Sequence, residues 1–393
     1  MNSLSGKGRA LAARRALLKW YGANARALPW RGANDPYAIW VSEIMLQQTQ
    51  VATVIPYYDR FLRAFPTAGH LARASFESVA ALWSGLGYYR RARHLHLAAQ
   101  KIVNDFGGRF PASYDEARTL PGVGHYTACA VLSIAYGKPF AALDGNVARV
   151  VARSYALSGN VHQPNFRAQV ERRLVKLLSR RKPGAFNQAM MELGQTVCLP
   201  RAPRCSRCPL RRMCDAFAMG KPESFPIPRP RRAAELRYLA AAIIRKDGNV
   251  ALTSGLEEGL LEDLWNFPSA FGGTRQEALD RLTEKFAAQP VLSLYLGQKL
   301  GTTRHTITYR SIRVECFEFQ GKLAGAPFRW FSVARFDQAA VSQLARKIMR
   351  LVEQVEQAHF AARAAGSSKP LAARNREGEG AAVFAGLKTP PFR

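Results

Sequence analysis

The sequence predicts a multidomain chain, an all-α domain followed by a smaller α+β domain. Three observations lead there. The chain is 393 residues long, well beyond the roughly 150 that one domain usually takes. Up to about residue 215 its apolar positions recur at helical spacing in short stretches punctuated by Pro and Gly. Beyond residue 234 the pattern changes to β-branched and aromatic runs interrupted by two helical stretches.

The first domain is expected over 1–215. Its opening segment, MNSLSGKGRALAARRALLKW, is Arg-rich and free of acids, which fits an organellar transit peptide. Leu11, Leu17, Leu18 and Trp20 also read as a first core helix, and we prefer the helix. Helices are then read at DPYAIWVSEIMLQQTQV, FESVAALWSGLGYYRRARHLHLAAQKIV, SYDEARTL, HYTACAVLSIAYG and FNQAMMELGQTV. Residues 216–234 (AFAMGKPESFPIPRPRRAA) are rich in Pro and Arg and read as a linker. In the second domain, 235–358, strands are expected at RYLAAAIIRK, NVALTS, VLSLYLGQKL, TITYRSIRVECFEFQ and FRWFSV. Helices are expected at TRQEALDRLTEKFAA and from about 337 to 360. The tail, 359–393, has few apolar anchors and is expected to be disordered.

Charge narrows the partner. A formal net charge of +29 and a pI near 10.5 favour a polyanion, nucleic acid before all others. No apolar run approaches a membrane span, and the first residues lack the apolar core of a secretory signal. A soluble intracellular protein with no membrane partner is expected.

Four of the six cysteines crowd together as Cys198-x6-Cys205-x2-Cys208-x5-Cys214, which is not the spread of a secreted disulfide framework. Thiolates so close must share a metal. Zinc could accept four sulfurs, as could an iron-sulfur cluster. Arg201, Arg204, Arg207, Arg211 and Arg212 stud the loop, where they could offset the charge of a thiolate-ligated cluster and face phosphates.

Leu120-Pro121-Gly122-Val123-Gly124 joins two helices, and its paired glycines allow a tight turn with exposed N–H groups. The next helix begins at His125, so Gly122, Gly124 and His125 lie where a phosphate would be held without any base being read.

Two carboxylates stand in contrasting environments. Glu43 has Ile39 and Trp40 one turn before it and Leu46 one turn after, so desolvation should raise its pKa and let it hold a proton near neutrality. Asp144 comes just before a helix expected to start near Asn146, where the dipole and free N–H groups favour the ionised form. Such a pair suits glycosidic-bond cleavage, one group protonating the leaving group and the other stabilising an oxocarbenium-like sugar.

LPGVGHYTA, LDGNVAR and the cysteine quartet together resemble the helix-hairpin-helix DNA glycosylase superfamily with its 4Fe-4S loop. LPWR, WVSEIMLQQTQV, GLGYYRRARHLH and NQAMMELGQTVC narrow the resemblance to MutY-type adenine DNA glycosylases, over residues 28 to about 215. The resemblance implies a helix-hairpin-helix at about 113–136 and an iron-sulfur loop at 198–214 with Cys198, Cys205, Cys208 and Cys214 as ligands. It implies excision of adenine opposite 8-oxoguanine or guanine in double-stranded DNA, after the base is flipped out of the duplex. Carried onto this chain, Glu43 would protonate adenine and later handle the water. Asp144 would stabilise the sugar cation, with Asn146 and Tyr126 ordering the site. Arg31 and Gln188 would contact adenine within walls made by Leu28, Trp30 and Val51. Gln48 and Tyr88 would wedge into the duplex, Tyr88 beside phosphate-binding charge on Arg90, Arg91 and Arg93. Tyr126 stands where endonuclease III relatives carry a Schiff-base lysine. A phenol cannot form that imine, so a monofunctional enzyme is expected.

GLLEDLWNFP resembles a stretch of the MutY C-terminal domain, implying a Nudix-like, lesion-reading second domain. The glutamate cluster of Nudix hydrolases is missing after it, so pyrophosphate hydrolysis is not expected. Arg304-His305-Thr306-Ile307-Thr308-Tyr309 departs from the family's reading segment, although Thr308 keeps a hydroxyl that could bond to the lesion. A monomer is expected, at the nucleoid in a bacterial cytoplasm or in a eukaryotic nucleus or mitochondrion. Two rivals remain at this stage: an endonuclease III-like pyrimidine or thymine-mismatch glycosylase, and a catalytically silent iron-sulfur DNA-binding module.

Overall fold

The structure, a computed structural model, describes residues 6–228, 233–289, 292–323 and 328–364. Among these, the helical half contains α1 (Gly6–Asn24), α2 (Pro36–Leu46), α3 (Val51–Ala64), α4 (Ala68–Arg73), α5 (Phe76–Trp83) and α6 (Arg90–Phe106). It continues with α7 (Tyr114–Arg118), α8 (His125–Ala135), α9 (Gly145–Ser154), α10 (Pro164–Leu177), α11 (Pro183–Thr196) and α12 (Asp215–Ala218). Two segments read as continuous helices are broken. The first stops at Leu46 and the second at Trp83, and each break contains a residue in left-handed backbone, Gln48 (φ 57°) and Tyr88 (φ 51°). That conformation is uncommon for residues with a Cβ and interrupts the α-helical run. α10 falls outside the segments read as helical, although Phe166, Val170, Leu174 and Leu177 form its buried stripe.

These helices close on two apolar clusters. Trp40, Val41, Ile44, Phe61, Trp83 and Leu95 lie in the first, and Leu17, Val147, Val151, Leu174, Phe186 and Leu193 in the second. α8 belongs to both, giving Ala128 and Val131 to one and Cys129 and Ala130 to the other. The start of α8 therefore sits at the seam between them.

The second domain contains β1 (Glu235–Lys246), β2 (Asn249–Leu256), β3 (Leu260–Asn266), β4 (Ser269–Gly272), α13 (Arg275–Ala287), β5 (Leu292–Ile307), β6 (Arg310–Leu323), β7 (Arg329–Ser332) and α14 (Gln343–Ala364). The strand order is β3-β2-β1-β6-β5, with β4 on β1 and β7 on β2. β1 runs parallel to β6 and antiparallel to β4. Its buried run Leu239–Ile244 alternates faces. Leu239, Ala241 and Ile243 meet α14, while Ala240, Ala242 and Ile244 meet α13. A strand covered on both sides has no polar face to show, which explains its unbroken apolar run.

The segment TITYRSIRVECFEFQ is not one strand. Ile307 pairs with Arg310 across a two-residue turn at Thr308-Tyr309, so the segment ends β5 and forms β6. Thr308 turns there with φ 56°. LLEDLWNFP, not read as strand, supplies β3, and α14 starts at Gln343 rather than near 337, where a 3₁₀ turn (Val333–Gln338) precedes it. α14 continues to Ala364, into the segment expected to be disordered; the rest of that tail lies outside the described residues. The linker segment also differs from a free connector. α12 packs on α9, the Ile227 amide bonds to the Gly159 carbonyl, and the Phe225 carbonyl accepts from Arg153.

LLEDLWNFP joins the halves. Leu264, 1 % exposed, completes the first helical cluster together with Ala340, and Leu261 and Trp265 pack against it. Arg93 pairs with Asp263 and Arg329 with Glu77 across the same junction.

Candidate active site

α2 is set by Asp35, whose carboxylate accepts from the Tyr37 and Ala38 amides, and by Pro36 at its first turn. Two turns on, Glu43 is 5 % exposed. Burial pushes its carboxyl up to about 7; the Tyr126 hydroxyl bonded to it pulls the other way, and the nearby Asp144 charge adds to the rise. The Tyr126 hydroxyl donates to Glu43 Oε2 at 2.7 Å. Burial and the two carboxylates hold that phenol protonated, well above its ordinary range.

Tyr126 reaches Glu43 because of the turn before α8. Gly122 has φ +75°, and a Cβ there would lie 2.7 Å from His94 Cβ, so only glycine fits without displacement. Gly124 caps α8. The His125 ring lies 2.7 Å from both the Tyr114 hydroxyl and Glu171 Oε1, and the first backbone N–H groups of a helix have no partner within it.

Asp144 is the N-cap of α9. Its Oδ1 accepts from the Val147 amide at 2.6 Å and its Oδ2 from Asn146 Nδ2 at 3.0 Å. Glu43, Gln48, Val51, Gly122, Gly124, His125, Tyr126, Asp144 and Asn146 line one open groove. An adjoining pocket, which also reaches Glu43, is lined by Leu28, Trp30, Arg31, Val51 and Gln188. Trp30 is 8 % exposed and packs edge-on against Tyr58, and Gln188 Oε1 accepts from the Tyr21 hydroxyl at 3.0 Å.

Several of these charges are held within the protein. Arg31 is held by fully buried Glu192 at 2.5 Å, and the same carboxylate binds Arg26 at 2.6 Å; Glu192 was not singled out in the sequence. Arg91, read as a phosphate contact, is 9 % exposed. Its guanidinium donates to the carbonyls of Ile44, Met45 and Gln47 on one side and of Leu86 and Gly87 on the other. It therefore ties the Gln48 turn to the Tyr88 turn. Arg93 is likewise turned to Asp263. Arg90 is exposed, and Tyr88 is 48 % exposed.

The four cysteines line one cavity with Val150, Arg153, Leu193, Val197 and Leu210. Burial pushes the Cys208 thiol up to about 12, and neighbouring thiolates add to the rise at Cys205, Cys208 and Cys214. Among the described residues no group of three or more His, Cys, Asp or Glu side chains converges closely enough to hold a single metal ion. α9 links this loop to Asp144. Arg149 donates to Asn146 Oδ1 at 2.9 Å and to the Cys198 carbonyl at 2.8 Å, and buried Arg153 donates to the Leu199 and Pro200 carbonyls. The five loop arginines are exposed. No helix among the described residues is long and apolar enough to cross a membrane.

In the second domain Thr308 is exposed, and its hydroxyl donates to the Ile307 carbonyl at 2.7 Å. His305 lies half-buried, its Nδ1 without a hydrogen-bond partner and its pKa pushed down to about 4 by burial, with the Lys347 charge adding.

A buried carboxyl and a helix-capping carboxylate on one groove beside a glycine hairpin, in a helical domain followed by an α+β domain, fit a base-excision DNA glycosylase of the helix-hairpin-helix class. Residues 41–180 match the HhH-GPD superfamily base excision DNA repair protein family, and residues 239–351 match the NUDIX domain. The adenine DNA glycosylase of Mus musculus is 34 % identical over 86 % of this chain and 77 % of its own. That of Homo sapiens is 34 % identical over 86 % and 74 %, and that of Buchnera aphidicola subsp. Acyrthosiphon pisum is 35 % identical over 68 % and 77 %. The chain belongs to the adenine DNA glycosylase family.

Proposed function

We propose that this chain hydrolyses the N-glycosidic bond of adenine opposite 8-oxoguanine or guanine in double-stranded DNA, and leaves an abasic site. The observation that carries the reading is Glu43, a buried carboxyl raised to about 7, bonded to Tyr126 and facing the same groove as Asp144. A carboxyl that titrates there is protonated in about half of the molecules at neutrality and can give that proton to the departing base. Asp144, pinned by Val147 and Asn146, presents its charge where the sugar becomes cationic. Extruded adenine enters the pocket of Leu28, Trp30, Arg31, Val51 and Gln188, while Gln48 and Tyr88 fill the gap in the duplex. Gly122, Gly124 and His125 hold backbone phosphate through the start of α8. With Tyr126 in place of a lysine, no imine with the sugar forms at that position.

Cys198, Cys205, Cys208 and Cys214 would hold a 4Fe-4S cluster. All four thiols line one cavity, and four cysteine thiolates are the ligand set such a cluster takes, one sulfur to each iron. When bound, the cluster would order the Arg-lined loop, since excision by an acid and a carboxylate involves no net electron transfer. Thr308 at the hairpin tip contacts the lesion strand, and the enzyme acts as a monomer.

The test is incubation with duplexes carrying A opposite 8-oxoguanine, A opposite G, T opposite G and a damaged pyrimidine, scored for abasic sites with and without alkali. Abasic product from the two adenine duplexes only, cut only after alkali, is expected. Binding with no abasic product, or strand cleavage with efficient borohydride trapping, overturns the reading.

A further inference from the structure

The Tyr88 loop is anchored from the second domain as well as from beneath. Ser84, at the end of α5, donates its hydroxyl to the Val341 carbonyl at 3.1 Å and accepts from Arg346 Nε and Nη2 at 3.1 and 3.0 Å. Arg346, on α14, is 9 % exposed; it also pairs with the Asp337 carboxylate and donates to the Asp337 and Ala339 carbonyls at 3.0 and 3.3 Å. A buried guanidinium is costly unless its donors are satisfied, and here every partner lies at the domain junction. Gly85 follows Ser84 with φ +110°. A Cβ there would lie 2.0 Å from the Tyr57 hydroxyl and 3.0 Å from Gln343 Nε2 of α14, so the loop is pressed between the domains and only glycine fits. The Gly85 amide bonds to the Tyr89 hydroxyl, and the Ser84 carbonyl to the Tyr57 hydroxyl. Three residues beyond Gly85, Tyr88 emerges in left-handed backbone.

We infer that Arg346 is a positioning residue for base extrusion: through Ser84 it fixes the root of the Gly85–Tyr88 loop, so that docking of the second domain sets where Tyr88 meets the duplex. The inference rests on the reading of Tyr88 as a wedge. Arg91 holds the same loop from the helical side and cannot by itself supply this coupling, because its partners all lie within the first domain.

The experiment uses the full-length, cluster-loaded protein in an Asp144→Asn background and reads the emission of 2-aminopurine at the target position opposite guanine, which brightens on unstacking. Ser84→Ala and Arg346→Met are each expected to lower the extruded fraction, expressed as an equilibrium constant, about tenfold. Affinity for undamaged duplex and the thermal midpoint should stay near the parent's for Ser84→Ala. Ser84→Thr, which keeps the hydroxyl, should restore extrusion. If Tyr88→Ala loses the signal while Ser84→Ala and Arg346→Met retain it, the inference is overturned and the wedge reading stands. If Tyr88→Ala keeps the signal, the wedge reading fails and the inference with it. A loss in Ser84→Ala that matches its loss of affinity for undamaged DNA, and that Ser84→Thr does not rescue, also overturns it.

Discussion

Glu43 is buried on α2 and bonded by one named hydroxyl, whereas Thr308 stands exposed at the tip of a hairpin with its hydroxyl turned back on its own strand. The first position takes its chemistry from exclusion of water. Its proton affinity comes from burial and is trimmed by Tyr126. The second donates its hydroxyl to the Ile307 carbonyl, and on the proposed reading it would re-aim on contact with DNA. Bond cleavage demands fixed groups with shifted acidity, and reading a base edge needs only a donor or acceptor that can re-aim on contact.

Asp144→Asn breaks the comparison on its catalytic side, with about a ten-thousandfold loss of excision expected in single-turnover assays. Gel-shift affinity for the mismatch should be retained. Glu43→Gln should cost excision about a thousandfold while making the protein more stable above neutrality. The sign follows from the shift. The carboxyl titrates near 7 in the folded protein against 4.5 when free, so the stability linked to its proton is fully present below about 4.5 and lost as pH rises through 7. Glutamine carries no such proton, and the variant should gain on the order of 3 kcal/mol at pH 8 and less at pH 5, as read from urea midpoints. Tyr126→Phe should slow excision about tenfold or less. It should also move the alkaline limb of the pH profile upward, because it removes the bond that lowers the Glu43 pKa. Thr308→Ala is the smallest: stability within about 0.5 kcal/mol, unchanged excision opposite guanine, and an effect confined to the preference for 8-oxoguanine, measured as a ratio of rates.

The same contrast explains what was legible. Glu43 among Ile39, Trp40 and Leu46, and Asp144 before LDGNVAR's helix, could be read because their environments are built by neighbours in sequence. So could the central strand, since a strand covered on both faces is apolar throughout. Arg91 could not. Its carbonyl partners lie on both sides of a junction up to 47 residues away, and nothing in RRARHLH distinguishes a buried guanidinium from one facing phosphate. Glu192 was hidden for the same reason, its two arginines coming from the chain's beginning. The turn at Thr308-Tyr309 lacks the Gly or Asn that marks a two-residue hairpin, so two strands read as one. LLEDLWNFP shows no clean alternation because its apolar residues serve two purposes, Phe267 in the sheet core and Leu264 in the helical domain.

The pH dependence of single-turnover adenine release tests most directly whether a buried, protonated Glu43 drives departure of the base. The rate should be level on the acid side and fall about tenfold per pH unit above a midpoint near 7. A rate that stays constant or climbs from neutral to alkaline pH would contradict it.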